Sequence, residues 1–213
     1  MRHALSAQQI ADEKLGGWAY LIDSLRTRVP TPDFAAGLTL VNALGAAAEL
    51  ADHHPDIDLR CTRVDIRLTS HDTGAVTGRD IRMARTISAL IADVGLTQEC
   101  ASVMQIGFVR DSPAHSASSP FWAAVLQGEP REQHVADPYG VVPLVVFQES
   151  RTQEPRQRWH PDVWVDPAQA QPRLDAALAA GGTLVSDAAA PSFWVLADPE
   201  GNRVCLCTWQ ERA

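Results

Sequence analysis

Apolar and polar residues change their spacing several times along the chain, and each change marks an element. Residues 6–15 read as a short helix, with Ser6 as its cap and Gly16-Gly17 as its stop. Trp18, Tyr20 and Ile22 share one parity, which predicts a strand over 18–27. Thr31-Pro32 then predicts the start of a long helix, a capping residue followed by proline at the first helical position. Its apolar residues form two stripes: Phe34, Leu38 and Val41, then Leu40, Leu44, Ala47 and Ala51. Gly37 and Gly45 each lower helix propensity there by about 1 kcal/mol, which suits close packing against another surface. After a short turn, Thr62, Val64, Ile66 and Leu68 alternate with Cys61, Arg63, Asp65 and Arg67, the period of a half-buried strand. Thr77-Gly78-Arg79-Asp80 opens a further helix carrying Ile81, Ala84, Ile87 and Ile91. Two helices on one face of an antiparallel sheet follow, an α+β domain.

A boundary is expected near residue 98, giving domains 1–98 and 99–213. The second half repeats one plan twice. A strand over 103–110, a helix over 119–127 and strands near 132–136 and 142–148 form the first unit. A strand over 159–166, a helix over 168–180 and strands over 183–186, 193–197 and 203–209 form the second. Residues 112–120, rich in Ser and Pro, read as a loop inside this domain.

Composition narrows the partners. The 213 residues carry a formal net charge of -8, which argues against non-specific binding to nucleic acid or to membrane surfaces. There is no run of 18 apolar residues and no signal-peptide core, so a soluble cytoplasmic protein is expected. Lys14 is the single lysine, leaving 17 arginines among the 18 basic residues, a bias that suits a GC-rich bacterial genome. Cys61, Cys100, Cys205 and Cys207 are widely spread without a CxxC, as expected of reduced thiols.

The candidate chemistry lies between the long helix and the next. Glu49, Asp52, His53, His54, His71 and Asp80 place three of the seven histidines and several carboxylates within about thirty residues. Histidine titrates nearest neutral pH, so such a cluster can donate and accept protons. Glu49 and His53 are four apart, where the carboxylate could orient the imidazole. His53 and His54 diverge by about 100°, which suits two atoms of one substrate better than one metal ion. Two bland readings stand beside this: a histidine pair complementing a helix dipole, and Asp80 closing a capping box with Thr77.

Glu49-x3-His53-His54-Pro55, His71 and Asp80 resemble the signature of the pterin-4a-carbinolamine dehydratases over about residues 1–95. Where that family has an aromatic after the proline, this sequence has Cys61, a change that bears on substrate packing. The resemblance implies dehydration of a 4a-hydroxytetrahydropterin, without a cofactor, in a protein that self-associates. It implies His53 and His71 as the acid/base pair and His54 as a group that binds the pterin and assists protonation. Glu49, Asp52, Asp80 and Cys61 would contact or orient the substrate side of the site.

Phe121-Trp122, the His160–Val165 stretch and Asp198-Pro199-Glu200-Gly201-Asn202-Arg203 resemble the glyoxalase-like branch of the vicinal-oxygen-chelate superfamily, over about residues 102–210. That resemblance implies a paired βαβββ domain binding an unidentified small molecule. The superfamily's three metal positions would fall at Met104 or Gln105, at His160 and at Cys205. With one convincing ligand among those three positions, no metal is expected, and Trp159, Trp164, Phe193 and Trp194 are candidates to line an apolar pocket. Cys205 and Cys207 read as packing residues, and His115 and His134 have no assigned role. The alternative function is a non-catalytic small-molecule-binding or regulatory protein whose first domain oligomerises.

Overall fold

The computed structural model describes residues 3–112, 123, 129–130, 134–137, 143–149, 159–197, 201 and 203–211. The chain divides into two compact units, Met1–Val103 and Met104–Ala213. Residues 99–103 belong with the first because Arg28 and Glu99 exchange backbone hydrogen bonds of 2.9 Å in each direction.

In the first unit, helix α1 (Ala7–Asp12) begins at Ser6, whose side chain and Gln9 form a reciprocal capping box. The expected single strand over 18–27 is instead a hairpin of β1 (Ala19–Leu21) and β2 (Ser24–Pro30). Ile22 and Asp23, at φ 36° and 58°, make its two-residue turn. Positive φ at both positions matches the twist of paired strands, but Ile-Asp lacks the Asn-Gly chemistry that would have announced it. Helix α2 (Phe34–Ala51) starts later than Thr31-Pro32 suggests, because Asp33 is the cap and accepts from Ala36 N–H at 2.8 Å. An additional edge strand, β3 (Asp56–Arg60), pairs with β4 (Arg63–Leu68), and α3 (Gly78–Asp93) completes the unit.

The four strands form an antiparallel sheet in the order β1-β2-β4-β3. Val64, Ile66 and Leu68 on β4 and Leu25 and Val29 on β2 point to one face. There they pack with Leu40, Leu44 and Ala48 of α2 and with Ile81, Met83, Ala84, Ile87 and Ile91 of α3. The core therefore lies between the helix layer and one side of the sheet. The opposite side is charged. Arg28 grips Asp65 with two bonds, Nε–Oδ1 at 2.6 Å and Nη2–Oδ2 at 2.8 Å, and Arg63 Nε approaches the same carboxylate at 3.2 Å.

By length and composition α2 could cross a membrane, with a mean hydropathy of 1.5 over 18 residues. It lies on the sheet, burying Gly37, Leu40, Leu44 and Ala48. Of the other apolar stripe, Phe34 and Leu38 are exposed, while Val41 packs against the core. Gly37 marks the closest approach: a Cβ there would lie 2.6 Å from Leu59 Cδ1, whereas one on Gly45 would meet nothing within 4 Å.

The second unit is an eight-stranded sheet in the order β10-β11-β12-β9-β5-β8-β7-β6. One half comprises β5 (Met104–Ser112), β6 (Glu129–Pro130), β7 (His134–Ala136) and β8 (Leu144–Glu149). The other comprises β9 (Trp159–Val165), α4 (Pro167–Ala179), β10 (Thr183–Ser186), β11 (Phe193–Ala197) and β12 (Arg203–Cys207). Each half pairs its first and last strands in parallel, β5 with β8 and β9 with β12, and the halves join where β5 runs antiparallel to β9. This is the paired arrangement that the sequence repeat implies. The helix expected over 119–127 lies outside the described residues except Ala123, which is buried against Val135, Val145 and Phe147. Phe121-Trp122, His115 and most of the Asp198–Arg203 turn also lie outside them.

Two expectations about stability follow. Gly37→Val should weaken the N-terminal unit by about 1–3 kcal/mol through overpacking, whereas Gly45→Ala should strengthen it by about 0.5–1 kcal/mol. Amide hydrogen exchange in α2 and β4 of the full chain reads both. The second concerns acid. Burial pushes the Asp65 carboxyl up, but its contacts with Arg28 and Arg63 outweigh that and hold it below its ordinary value. A lowered folded-state pKa adds stability above the unfolded value of about 4, and that stability is lost as pH falls through the lower folded value. Asp65→Asn should accordingly flatten the acid limb of a stability–pH curve between about pH 5 and pH 2.

Candidate active site

The end of α2 decides where the two histidines go. Asp52, its C-cap, adopts the left-handed conformation (φ 46°, ψ 44°), and the backbone N–H of His53 bonds to Ala48 O at 3.2 Å. Asparagine and aspartate are the side-chain-bearing residues that best tolerate this geometry, and it turns the chain sharply out of the helix. His53 is thereby directed inward and is buried, while His54 remains exposed.

His53 meets Asp80 across 27 residues of sequence, with Nε2 and Oδ1 2.8 Å apart. Asp80 is fully buried. Its Oδ2 accepts from Thr77 N–H at 2.7 Å, from the Ser70 hydroxyl at 2.7 Å and from the Thr77 hydroxyl at 3.1 Å. The Ser70 and Thr77 hydroxyls are also 2.8 Å apart, and their two protons serve two of these three contacts at a time. With Thr77 N–H and at least one of the two hydroxyls donating to one oxygen, the carboxylate acts as an acceptor, so the proton between it and His53 is assigned to Nε2. The ring then presents Nδ1 as its lone-pair atom. Asp80 is at once the N3 residue of the α3 capping box and the partner of His53.

Glu49 behaves otherwise than its spacing suggests. It bonds to His54, with Oε1 and Nε2 3.0 Å apart, and not to His53. The left-handed turn at Asp52 breaks the helical register on which the i, i+4 expectation rested. Both side chains of that pair are largely exposed.

His71 follows Ser70 directly, on an exposed turn between β4 and α3. The turn is held by Gly74 N–H and the Thr73 hydroxyl on Ser70 O, at 2.9 Å and 3.0 Å, and by an Arg79–Asp72 ion pair. His71 is thus one peptide away from a residue that bonds Asp80. Cys61 is separated from the histidines. With Thr62 it forms the exposed two-residue tip of the β3–β4 hairpin, while His54-Pro55 precede the other end of β3. A five-residue strand spans about 17 Å. Within one chain, Cys61 is therefore remote from His53. Asp52 serves the backbone turn and is exposed.

Comparison with known proteins gives this arrangement a family. A family model described as pterin 4 alpha carbinolamine dehydratase matches residues 3–90. A provisionally named pterin-4-alpha-carbinolamine dehydratase of Nocardia farcinica is 42% identical over 88 residues, which are 40% of this chain and 93% of that protein. The chain belongs to the pterin-4a-carbinolamine dehydratase family. A similarly named protein of Aquifex aeolicus is 33% identical over 82 residues, 38% of this chain and 83% of its own length. A crystal structure titled transcriptional coactivator/pterin dehydratase, from Brucella melitensis, is 27% identical, with a TM-score of 0.40, covering 41% of this chain and 98% of that one. A second family model, described as a glyoxalase-like domain, matches residues 107–207.

In the glyoxalase-like unit the alternation of β9 and β11 divides the expected aromatic lining. Trp194 packs with the core under α4, and Trp159 packs beside Ala123, Val135, Val145 and Phe147. Trp164 and Phe193 lie on the opposite face of the sheet, with His160 and Cys205. Sequence reasoning passed over Asp162 on that face. The signal was available, because residues two apart on a strand share a side.

The dehydratase-family network generates a contrast in stability. Asp80→Ala strands Thr77 N–H, Ser70 and His53 and should cost the N-terminal unit about 2–5 kcal/mol. Glu49→Ala breaks only an exposed pair and should change stability by no more than about 0.5 kcal/mol. Thermal unfolding of both full-length variants distinguishes these outcomes.

Proposed function

We propose that the N-terminal unit dehydrates a 4a-hydroxytetrahydropterin to the quinonoid dihydropterin. The observation that carries this is His53, a buried imidazole anchored through Nε2 on a carboxylate that is itself fully hydrogen-bonded. Such anchoring fixes the ring's orientation and tautomer, as general acid–base catalysis requires.

The reaction breaks the C4a–O bond and removes one proton from a ring nitrogen, and the hydroxyl leaves as water. It is redox neutral and takes no electron-carrying cofactor. Two proton-transfer groups are needed, one for the leaving hydroxyl and one for the ring N–H. His53 and His71 form this pair. His53 offers Nδ1, held by Asp80. His71 offers an exposed imidazole on a turn whose first residue, Ser70, bonds the same carboxylate. His54 binds the pterin, and Glu49 orients it at 3.0 Å. Asp52 acts through the backbone turn that separates the two adjacent histidines. Cys61, at the hairpin tip, contributes no group to a site built within one chain.

The exposed Phe34, Leu38 and Leu50 of α2 favour self-association of this unit, which the regulatory reading also uses. The two readings part on turnover. His71→Ala and His53→Gln should each slow carbinolamine decay, followed by stopped-flow absorbance, by about 10²–10⁴-fold relative to the unaltered chain. His71→Ala is the cleaner variant, because its side chain is exposed. Equal decay rates with a folded double variant, or no acceleration over buffer by the unaltered chain, would favour the binding role.

A further inference from the structure

The charged face of the N-terminal sheet holds one cation that no carboxylate on that face meets. Each aspartate there is already engaged. Asp58 bonds Arg60 Nε at 2.8 Å, and Asp65 is held by Arg28 and Arg63. Asp56 Oδ2 accepts from Arg67 Nη1 at 3.0 Å. Arg26 is left over. Its guanidinium donates to Ser24 Oγ through Nε at 3.2 Å and forms no ion pair among the described residues.

Arg26 also lies beside a second cation. It is the register partner of Arg67, so one row across the sheet reads Ala19, Arg26, Arg67, Asp56 over β1, β2, β4 and β3. Directly opposed side chains have Cβ atoms about 4.5–5.5 Å apart, and like charges so placed repel. Burial, and after it Arg67, press the Arg26 guanidinium down to about 10, and Asp56 and Asp65 offset this only in part. Arg67 has an unmet donor of its own. Its Nε is buried without a hydrogen-bond partner among the described residues, while the side chain as a whole remains 26% exposed. The row therefore sets the Nη groups of Arg26 and the Nε of Arg67 beside each other with no acceptor between them.

An oxyanion satisfies such a pair. Carboxylate and phosphate oxygens accept two parallel bonds from a guanidinium fork, and these charge-assisted bonds are about twice as strong as neutral ones. One oxyanion shared by the two arginines would also remove their mutual repulsion. The chain as a whole carries a net charge of -8, so an unmatched arginine pair is a local exception to its general field. The row adjoins the histidines. Asp56 follows His54 by two residues, about 7 Å of extended chain, and Arg67 precedes His71 by four. The oxyanion is accordingly a substituent of the molecule bound at the histidines, which rests on the dehydratase reading, or a separate small anion. The recognition chemistry is the same for both.

We propose that Arg26 and Arg67 together bind one oxyanion, a carboxylate or phosphate, of a small molecule. The test is calorimetric titration of the full-length protein with three probes: 6-carboxypterin, the neutral 6-hydroxymethylpterin, and inorganic pyrophosphate. A pterin substituent predicts that 6-carboxypterin binds at least about tenfold tighter than 6-hydroxymethylpterin. A separate anion predicts that pyrophosphate binds and that the two pterins do not differ. In either case Arg26→Gln and Arg67→Gln should each weaken the charged probe at least about tenfold. Arg60→Gln, at an exposed side chain paired with Asp58, should not. No binding of either charged probe, or charged-probe affinity indifferent to either substitution, would overturn the site. Equal binding of both pterins without pyrophosphate binding removes this inference and leaves the dehydratase reading standing. Pyrophosphate held through the two arginines by a chain that binds neither pterin does the reverse. Should Arg26→Gln fail to fold, Arg67→Gln decides alone, and unchanged affinity there refutes the joint site.

Discussion

A carboxylate taken wholly out of water must have its lone pairs met by protein, and in the N-terminal unit this requirement falls on Asp80. Its three partner residues come from three places: Thr77 at the N-cap of α3, Ser70 in the turn leaving β4, and His53 just past the end of α2. None of these segments can shift without stranding a donor or exposing the charge. The cost of doing so, about 2–5 kcal/mol, is a large share of the stability of a small domain. The same bonds that close the fold therefore hold His53 in one orientation. Capping and positioning are a single arrangement here.

Around that point the division of labour is simple. The helices and the sheet supply the apolar core through Leu40, Leu44, Val64, Ile66, Ile87 and their neighbours. The polar network lies where α2, β4 and α3 end or begin. Asp52 is the pivot, because its left-handed conformation sends one histidine into the protein and leaves the next outside. Adjacent residues thus receive different partners, Asp80 for His53 and Glu49 for His54.

Much of this was legible in the sequence. Alternation in 61–68 and helical spacing after Thr77 identified β4 and α3, and the coarse repeat in the second half identified two similar sub-units. The motif from Glu49 to Asp80 located the candidate site. What escaped depended on single backbone angles or on neighbours distant in sequence. Nothing in Ile22-Asp23 announces a turn with two positive φ values, so one strand was expected where there are two. Helical spacing paired Glu49 with His53 because it took the helix to run through Asp52. Cys61 drew attention as a motif position, yet the unexpected β3 carries it to a hairpin tip.

The central claim is that Asp80 sets the tautomer of His53 and so determines which ring nitrogen is available to a substrate. Long-range proton–nitrogen NMR correlation on the full-length protein, with histidine labelled in nitrogen-15, addresses it directly. The account predicts a His53 ring protonated on Nε2 and bare on Nδ1, with the Nε2 proton shifted downfield by its bond to the carboxylate. A ring protonated on Nδ1 and bare on Nε2 would contradict it.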